Sequence, residues 1–180
     1  MVTETAALIA EHVADVPDFP KPGVLFKDLS PLFADGPAFR ATIDAIVDHY
    51  RDGAGAPAFD VVVGIEARGF VMAAAVAYAV GVGVVPVRKA GKLPRARLSA
   101  SYALEYGEAT LEVHEDAFVA GQRVLVLDDV LATGGTADAT LGLVERAGGV
   151  VAGLCVVLEL EFLHGRDRLA GRDVHALLTV

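Results

Sequence analysis

Cysteine is almost missing from this chain. Cys155 stands alone inside the apolar run VVAGLCVVL, so no disulfide can form within one chain and no thiolate cluster exists for structural zinc; that pattern suits a reducing, cytoplasmic compartment. Positive charge is scarce as well: 15 Lys and Arg stand against 24 Asp and Glu, a formal net charge of -9. A general nucleic-acid binder needs a basic face to displace counterions from phosphates, so the balance argues against that class and requires any anionic ligand to be held locally. The five histidines show no H-E-x-x-H or paired-ligand spacing. Two common nucleotide motifs are absent too: there is no G-x-x-x-x-G-K-[ST] loop, and no G-x-G-x-x-G follows a strand. The N-terminal stretch MVTETAALIAEHVADVPDFP is acidic and lacks the basic start and long apolar run of a secretory signal.

What is present is a well-hydrophobic chain of 180 residues, 54% apolar and 22% charged, enough for one globular domain with an ordinary core. The stretch Gly69 to Val87 has no charge and is long enough to cross a bilayer. Gly81, Gly83 and Pro86 interrupt it, so a short helix followed by a buried strand is the better reading and no membrane association is expected. Short apolar runs alternate with helical periodicity along the chain, which predicts an α/β domain with a mainly parallel sheet. Helices are expected over 6–13, from Asp35 and Pro37 to Tyr50, over 69–80 and over 136–147. Strands are expected over 61–65, 82–87, 124–127 and 150–158, each nearly continuous in apolar residues and so covered on both faces. DFPKPG (Asp18 to Gly23) reads as an extended, proline-stiffened loop. RKAGKLPRAR reads as an exposed basic loop leading into a hairpin.

The most informative stretch is VLVLDDVLATGGTADAT, Val124 to Thr140. An apolar strand meets two carboxylates, then a glycine-rich turn opens a helix. Main-chain N–H groups in such a turn converge on an anion, and the helix N-terminus adds free donors and a favourable dipole. Gly134 and Gly135 permit positive φ and close approach, Thr133 and Thr136 add hydroxyls, and Thr136 is also a candidate cap. Asp128 and Asp129 would lie at the carboxyl end of the strand, where open α/β sheets bind ligands. There they accept hydrogen bonds from ribose hydroxyls or hold a hydrated Mg2+ that accompanies a polyphosphate. Taken alone, TGGT is equally a plain helix start; the acidic pair and the turn together point to a ribose phosphate.

VLVLDDVLATGGT resembles the phosphoribosyl-pyrophosphate motif of the type I phosphoribosyltransferases. DFPKPGVLFKDLSPLF, VRKAGKLP, SYALEYG and ELEFLHGRDRL extend the resemblance from about Asp18 to Leu169 and make it similar to the adenine phosphoribosyltransferases. The resemblance implies the type I phosphoribosyltransferase fold, a single domain over 1–180 with an N-terminal hood over about 1–34 and a flexible hairpin loop. It also implies transfer of phosphoribosyl from 5-phosphoribosyl 1-pyrophosphate to adenine, giving AMP and pyrophosphate, with Mg2+ held mainly by the substrate, in a homodimer. By the same resemblance Asp128 and Asp129 meet the ribose, and Ala132, Thr133, Gly134, Gly135 and Thr136 the 5′-phosphate. Phe26 can stack on the base while main-chain groups near Leu25 and Lys27 read its edge; a core role for Phe26 is the alternative. Arg68, Arg88, Lys89 and Lys92 suit the pyrophosphate, whose departure builds negative charge, although a solvated basic loop would look the same. Glu105 is the candidate for proton handling at the purine. The family usually shows a serine where this chain has Ala67, and often a cis peptide there. Two other readings stay open: the same site serving xanthine or guanine, and a regulator that binds the activated sugar without chemistry.

Overall fold

The computed structural model describes residues 4–103 and 108–180. A helix over Glu4–Glu11 (α1) leads into a two-stranded antiparallel unit, Ala14–Pro17 (β1) with Leu25–Asp28 (β2). The DFPKPG segment between these strands is a tight turn, not the extended loop its prolines suggest. Asp18 Oδ1 accepts the Gly23 N–H at 2.7 Å, and Gly23 at φ 84° reverses the chain. The Phe19–Pro20 peptide within it is cis.

A short helix over Ser30–Ala34 (α2) precedes the long Gly36–His49 helix (α3). The sequence signals at its start work as expected: Asp35 caps it by accepting the Ala38 N–H at 2.8 Å, and Pro37 occupies the first turn. Ile43, Ile46, Val47 and Tyr50 are buried along one face, with Phe39 only partly so.

The main sheet then builds from Val61–Ile65 (β3), Gly83–Lys89 (β4), Arg97–Ala103 (β5), Glu108–His114 (β6), Arg123–Leu131 (β7), Val150–Glu159 (β8) and Val174–Thr179 (β9). Spatial order is β5-β6-β4-β3-β7-β8-β9; β4, β3, β7, β8 and β9 run parallel, while the β5-β6 hairpin adds antiparallel to the end of β4. Helices over Gly69–Val80 (α4) and Gly135–Arg146 (α5) connect the parallel strands. Period-two alternation divides the core between the two faces. Val62, Leu125, Leu127, Cys155 and Val157 pack with α3 and α4, whereas Val61, Val63, Val124, Val126 and Val156 pack beneath α5.

One strand departs from the expectation of two covered faces. On β4, Val84 and Pro86 are exposed, because α4 lies mainly over β3 and β7 and leaves the outer strand bare. Tyr78 of α4, 91% exposed, and Val71 extend this apolar surface. β9, the β1-β2 unit and the 3-10 turns over Glu161–Leu163 and Gly165–Leu169 had no periodic signal to announce them. Among the described residues no helix is long and apolar enough to cross a membrane.

Candidate active site

From β3 the chain runs outward to β4, then returns to pair β7 on the other side of β3. The sheet therefore has a switch point between β3 and β7, and a crevice at their carboxyl ends. Arg68 follows β3 there and the acidic pair lies on β7. A cavity of about 550 Å3 opens at this point, within the range that holds a nucleotide-sized ligand.

The strand carrying the acidic pair continues four residues beyond its expected end. Pairing with β3 stops at Leu127, but pairing with β8 runs on to Leu131 opposite Glu159. Asp128 and Asp129 are thus held by a strand on one side and face the crevice on the other. Asp129 is buried, its side chain 7% exposed, and its Oδ2 lies 2.7 Å from Arg68 Nε. The N–H of that contact is not aimed at the oxygen, and Asp129 Oδ2 accepts no hydrogen bond among the described residues. An unsatisfied buried carboxylate oxygen at a cavity wall is an acceptor waiting for a ligand hydroxyl or cation. Burial, then the neighbouring Asp129 carboxylate, push the Asp128 carboxyl well above the usual range, although it accepts the Asp129 N–H at 2.9 Å.

The glycine-rich turn continues the cavity into a smaller recess lined by Thr133, Gly134, Gly135 and Thr136, with Ala132 and Thr136 shared between the two spaces. Gly134, at φ 80°, is the N-cap of α5, and the first helical bond runs from the Asp138 N–H to its carbonyl. Among the described residues the N–H groups of the first turn before Asp138 have no main-chain acceptor outside the helix, the arrangement in which a helix N-terminus can hold an anion. Thr136 is not the cap expected of it: its hydroxyl donates to the Tyr102 hydroxyl at 3.0 Å, tying the end of β5 to the turn. At the start of the other crossover helix, a Cβ on Gly69 would meet the Leu127 carbonyl oxygen at 2.7 Å, so only glycine lets α4 start this close to β7.

On the opposite wall stand Val24, Leu25, Phe26 and Lys27. Phe26 is half-buried and belongs to the cavity, not the core. Its ring meets Phe19 edge-on at 5.0 Å, and the Arg68 guanidinium carbon lies 5.4 Å from its centroid. One arginine therefore touches both the acidic pair and the aromatic wall. The Lys27 ammonium is taken by Asp15 at 2.6 Å, leaving its main chain to the cavity. Since among the described residues β2 pairs with β1 alone, its other edge presents main-chain donors and acceptors that no described strand takes.

The four expected pyrophosphate cations separate into two groups. Arg68 and Lys89 line the cavity; Arg88 and Lys92 do not. They gather instead on Glu66, which sequence reasoning passed over in IEARGF. Arg88 Nε donates to Glu66 Oε2 at 3.1 Å, the Lys89 N–H donates to the same oxygen at 3.0 Å, and Lys92 Nζ donates to Oε1. The Glu66–Ala67 peptide is cis. Tyr102, Leu111 and Leu160 also line the cavity without having been singled out, since a lone Tyr or Leu carries no motif. Glu105 lies outside the described residues.

Burial alone would raise the Glu66 carboxyl, but hydrogen bonds from Lys92, the Lys89 amide and Arg88 outweigh it and bring the group to about 2. A carboxylate depressed in this way stabilises the fold above its unfolded pKa of about 4.3 and loses that contribution as pH falls through the folded value. The melting temperature of wild type should therefore fall faster than that of Glu66→Gln between about pH 4.3 and about pH 2. Parallel curves would show that the three donors do not hold the charged form.

Comparison with known proteins agrees with this geometry. A family model described as "Phosphoribosyl transferase domain" matches residues 32–175. Adenine phosphoribosyltransferase of Salinispora tropica is 75% identical over 177 residues, covering 98% of this chain and 92% of the relative, and that of Thermobifida fusca is 52% identical over the whole of both chains. Among solved structures, adenine phosphoribosyltransferase from Thermoanaerobacter pseudethanolicus superposes with a TM-score of 0.89 at 45% identity, covering 97% of this chain and 99% of the other. The Saccharomyces cerevisiae enzyme, crystallised with adenine and an imino-altritol bisphosphate, gives 0.91 at 39% identity over 96% of this chain and 98% of the other. With a family model over most of its length, relatives this similar, and the crevice built as described, the chain belongs to the adenine phosphoribosyltransferase family.

Proposed function

We infer that this protein transfers the phosphoribosyl group of 5-phosphoribosyl 1-pyrophosphate to adenine, forming AMP and releasing pyrophosphate, a purine-salvage reaction. The observation that carries this reading is the acidic pair, with Asp129 buried, beside the N-terminal N–H groups of the TGGT turn and facing Phe26 across one cavity. Asp128 and Asp129 receive the ribose hydroxyls, and Ala132 to Thr136 receive the 5′-phosphate. Phe26 stacks on the adenine ring while the free edge of β2, from Leu25 to Lys27, reads its polar edge. Arg68 and Lys89 meet the pyrophosphate in the cavity, with Arg88 and Lys92 close behind them.

During transfer the bond from the sugar's anomeric carbon to pyrophosphate breaks, and a bond to a purine ring nitrogen forms. The proton on that nitrogen goes to Glu105. Positive charge developing on the ribose is offset by the acidic pair, and negative charge on the leaving group by the cations. Two adjacent carboxylates are hard oxygen donors that suit Mg2+ carried in by the diphosphate, with the ion retaining most of its waters. When bound, Mg2+ would neutralise part of the diphosphate charge. In this reading the chain is a single domain over 1–180, and its segment of about 1–34, which includes the β1-β2 unit, is the hood over the base. The exposed apolar surface of Val71, Tyr78 and Val84 supports a homodimer, and the single buried thiol suits the cytoplasm.

Purified protein incubated with adenine, 5-phosphoribosyl 1-pyrophosphate and Mg2+ should produce AMP, with xanthine and guanine much poorer acceptors. No AMP, with tight binding of the activated sugar, would leave the sensing reading in its place. Glu105→Gln should lower kcat about tenfold with little change in KM for either substrate. That is below the full effect of general acid–base catalysis because the amide oxygen still accepts a hydrogen bond. Unchanged kcat would remove Glu105 from the proton transfer.

A further inference from the structure

Glu66 is an acidic residue in a place where acid is unexpected. It lines the cavity beside Arg68 and Lys89, on the side assigned above to a diphosphate, yet carries the same sign as that ligand. Its side chain is 8% exposed and takes three donors: the Arg88 guanidinium, the Lys89 main chain and the Lys92 ammonium. Its own N–H donates to the Val87 carbonyl at 3.0 Å, so the carboxylate is anchored to the end of β4 from which those three residues depart.

The donors are not exhausted by this arrangement. Arg88 uses Nε toward Glu66 and offers Nη1 to the Lys92 carbonyl at 3.4 Å, and its remaining guanidinium N–H groups meet no acceptor among the described residues. Lys92 has three donors and gives one. With its amide fixed on Glu66, Lys89 lines the cavity, and among the described residues its ammonium makes no ion pair with a carboxylate. Arg88 and Lys89 end β4 and Lys92 lies just beyond it, and long cationic side chains left unheld there lose much rotamer entropy when they bind an anion. A buried carboxylate that holds the Arg88 and Lys92 side chains and the Lys89 main chain has already met part of that cost.

We propose that Glu66 is a positioning residue for pyrophosphate: it gathers Arg88, Lys89 and Lys92 into one preset cluster, and so strengthens the binding of an anion despite its own negative charge. This rests on the assignment of the basic segment to the diphosphate end of the substrate. The sign of the effect separates it from simple electrostatics. By charge alone, removing a carboxylate beside an anion site tightens anion binding; if it positions the cations, removal weakens it.

The test is calorimetric titration of wild type, Glu66→Gln and Glu66→Asp with inorganic pyrophosphate plus Mg2+, and separately with ribose 5-phosphate, which reaches only the turn and the acidic pair. Pyrophosphate should bind about tenfold more weakly to Glu66→Gln, and several-fold more weakly to Glu66→Asp, which keeps the charge but is one methylene shorter. Ribose 5-phosphate should bind all three within twofold. Unchanged or tighter pyrophosphate binding in Glu66→Gln overturns the proposal. Equal weakening of both probes also overturns it, since that marks a merely structural role. If wild type binds ribose 5-phosphate but not pyrophosphate, the assignment of the basic segment fails first; if it binds neither, the phosphoribosyl reading itself fails.

Discussion

Asp129→Asn should lower kcat/KM for phosphoribosyl transfer about a hundredfold while leaving the fold almost as stable. The substitution keeps size and shape and removes only the charge. In the native chain Asp129 is buried with an oxygen that accepts no hydrogen bond among the described residues, so a ribose hydroxyl would find a preformed acceptor there. Each charge-assisted hydrogen bond contributes about 1.5–3 kcal/mol, and the loss of one or two accounts for the expected factor. Stability is spared because Arg68, the ion-pair partner, keeps a side chain 40% exposed to water and stays solvated when left alone. Asp128 limits the damage: part of what raises its carboxyl is the Asp129 charge, so in the variant Asp128 ionises more readily and retains some affinity for the sugar. Steady-state kinetics with the activated sugar, alongside thermal melts, would check this. Activity within threefold of wild type would mean that the ribose does not meet Asp129.

Gly134→Ala should weaken ribose 5-phosphate binding by about two orders of magnitude and also destabilise the protein. Gly134 sits at φ 80°, and a Cβ there would lie 2.4 Å from the Gly165 carbonyl oxygen. The left-handed backbone costs an L-residue about 1–2 kcal/mol, and relieving the clash by backbone movement about 1–3 kcal/mol more. That movement rotates the N–H groups that a phosphate needs to find converged. Gly142, in the middle of the same helix, is the control: a Cβ there meets nothing within 4 Å. Gly142→Ala should stabilise by about 0.5–1 kcal/mol and leave ribose 5-phosphate binding unchanged. Titration calorimetry and melting curves of the two variants make the comparison. Equal behaviour would show that the turn's glycine serves no phosphate geometry.

Much of the layout was legible along the chain because its signals are local. The Val61–Ile65 strand and the Gly69–Val80 helix fall where apolar run length, periodicity and the Gly81 stop put them. Asp35 caps its helix as its residue type predicts. The turn after the acidic pair was readable for the same reason, since two glycines ahead of a helical pattern mark a helix start, and α5 begins there. Phe26 was readable only through its context in PGVLFKDL, and it does stand on the cavity wall.

Where local signals competed with long-range pairing, the pairing won. Asp128 and Asp129 looked like residues just past a strand, yet β8 continues to hold their backbone after β3 has stopped. The prolines of DFPKPG suggested extension, but one hydrogen bond from Gly23 to Asp18 closes the turn. Thr136 had the composition of a cap and instead meets Tyr102, a residue 34 positions earlier.

The amino-acid sequence by itself determined most element types, the glycine-rich turn with its acidic neighbours, and the acidic balance of charge, because each depends on residue identities or on residues a few positions apart. Only the tertiary structure decided which cations reach the cavity, that Glu66 gathers the others, and that Arg68 joins the acidic pair to the aromatic wall. Those outcomes depend on which strand ends lie side by side, and that order is set by packing across the whole sheet.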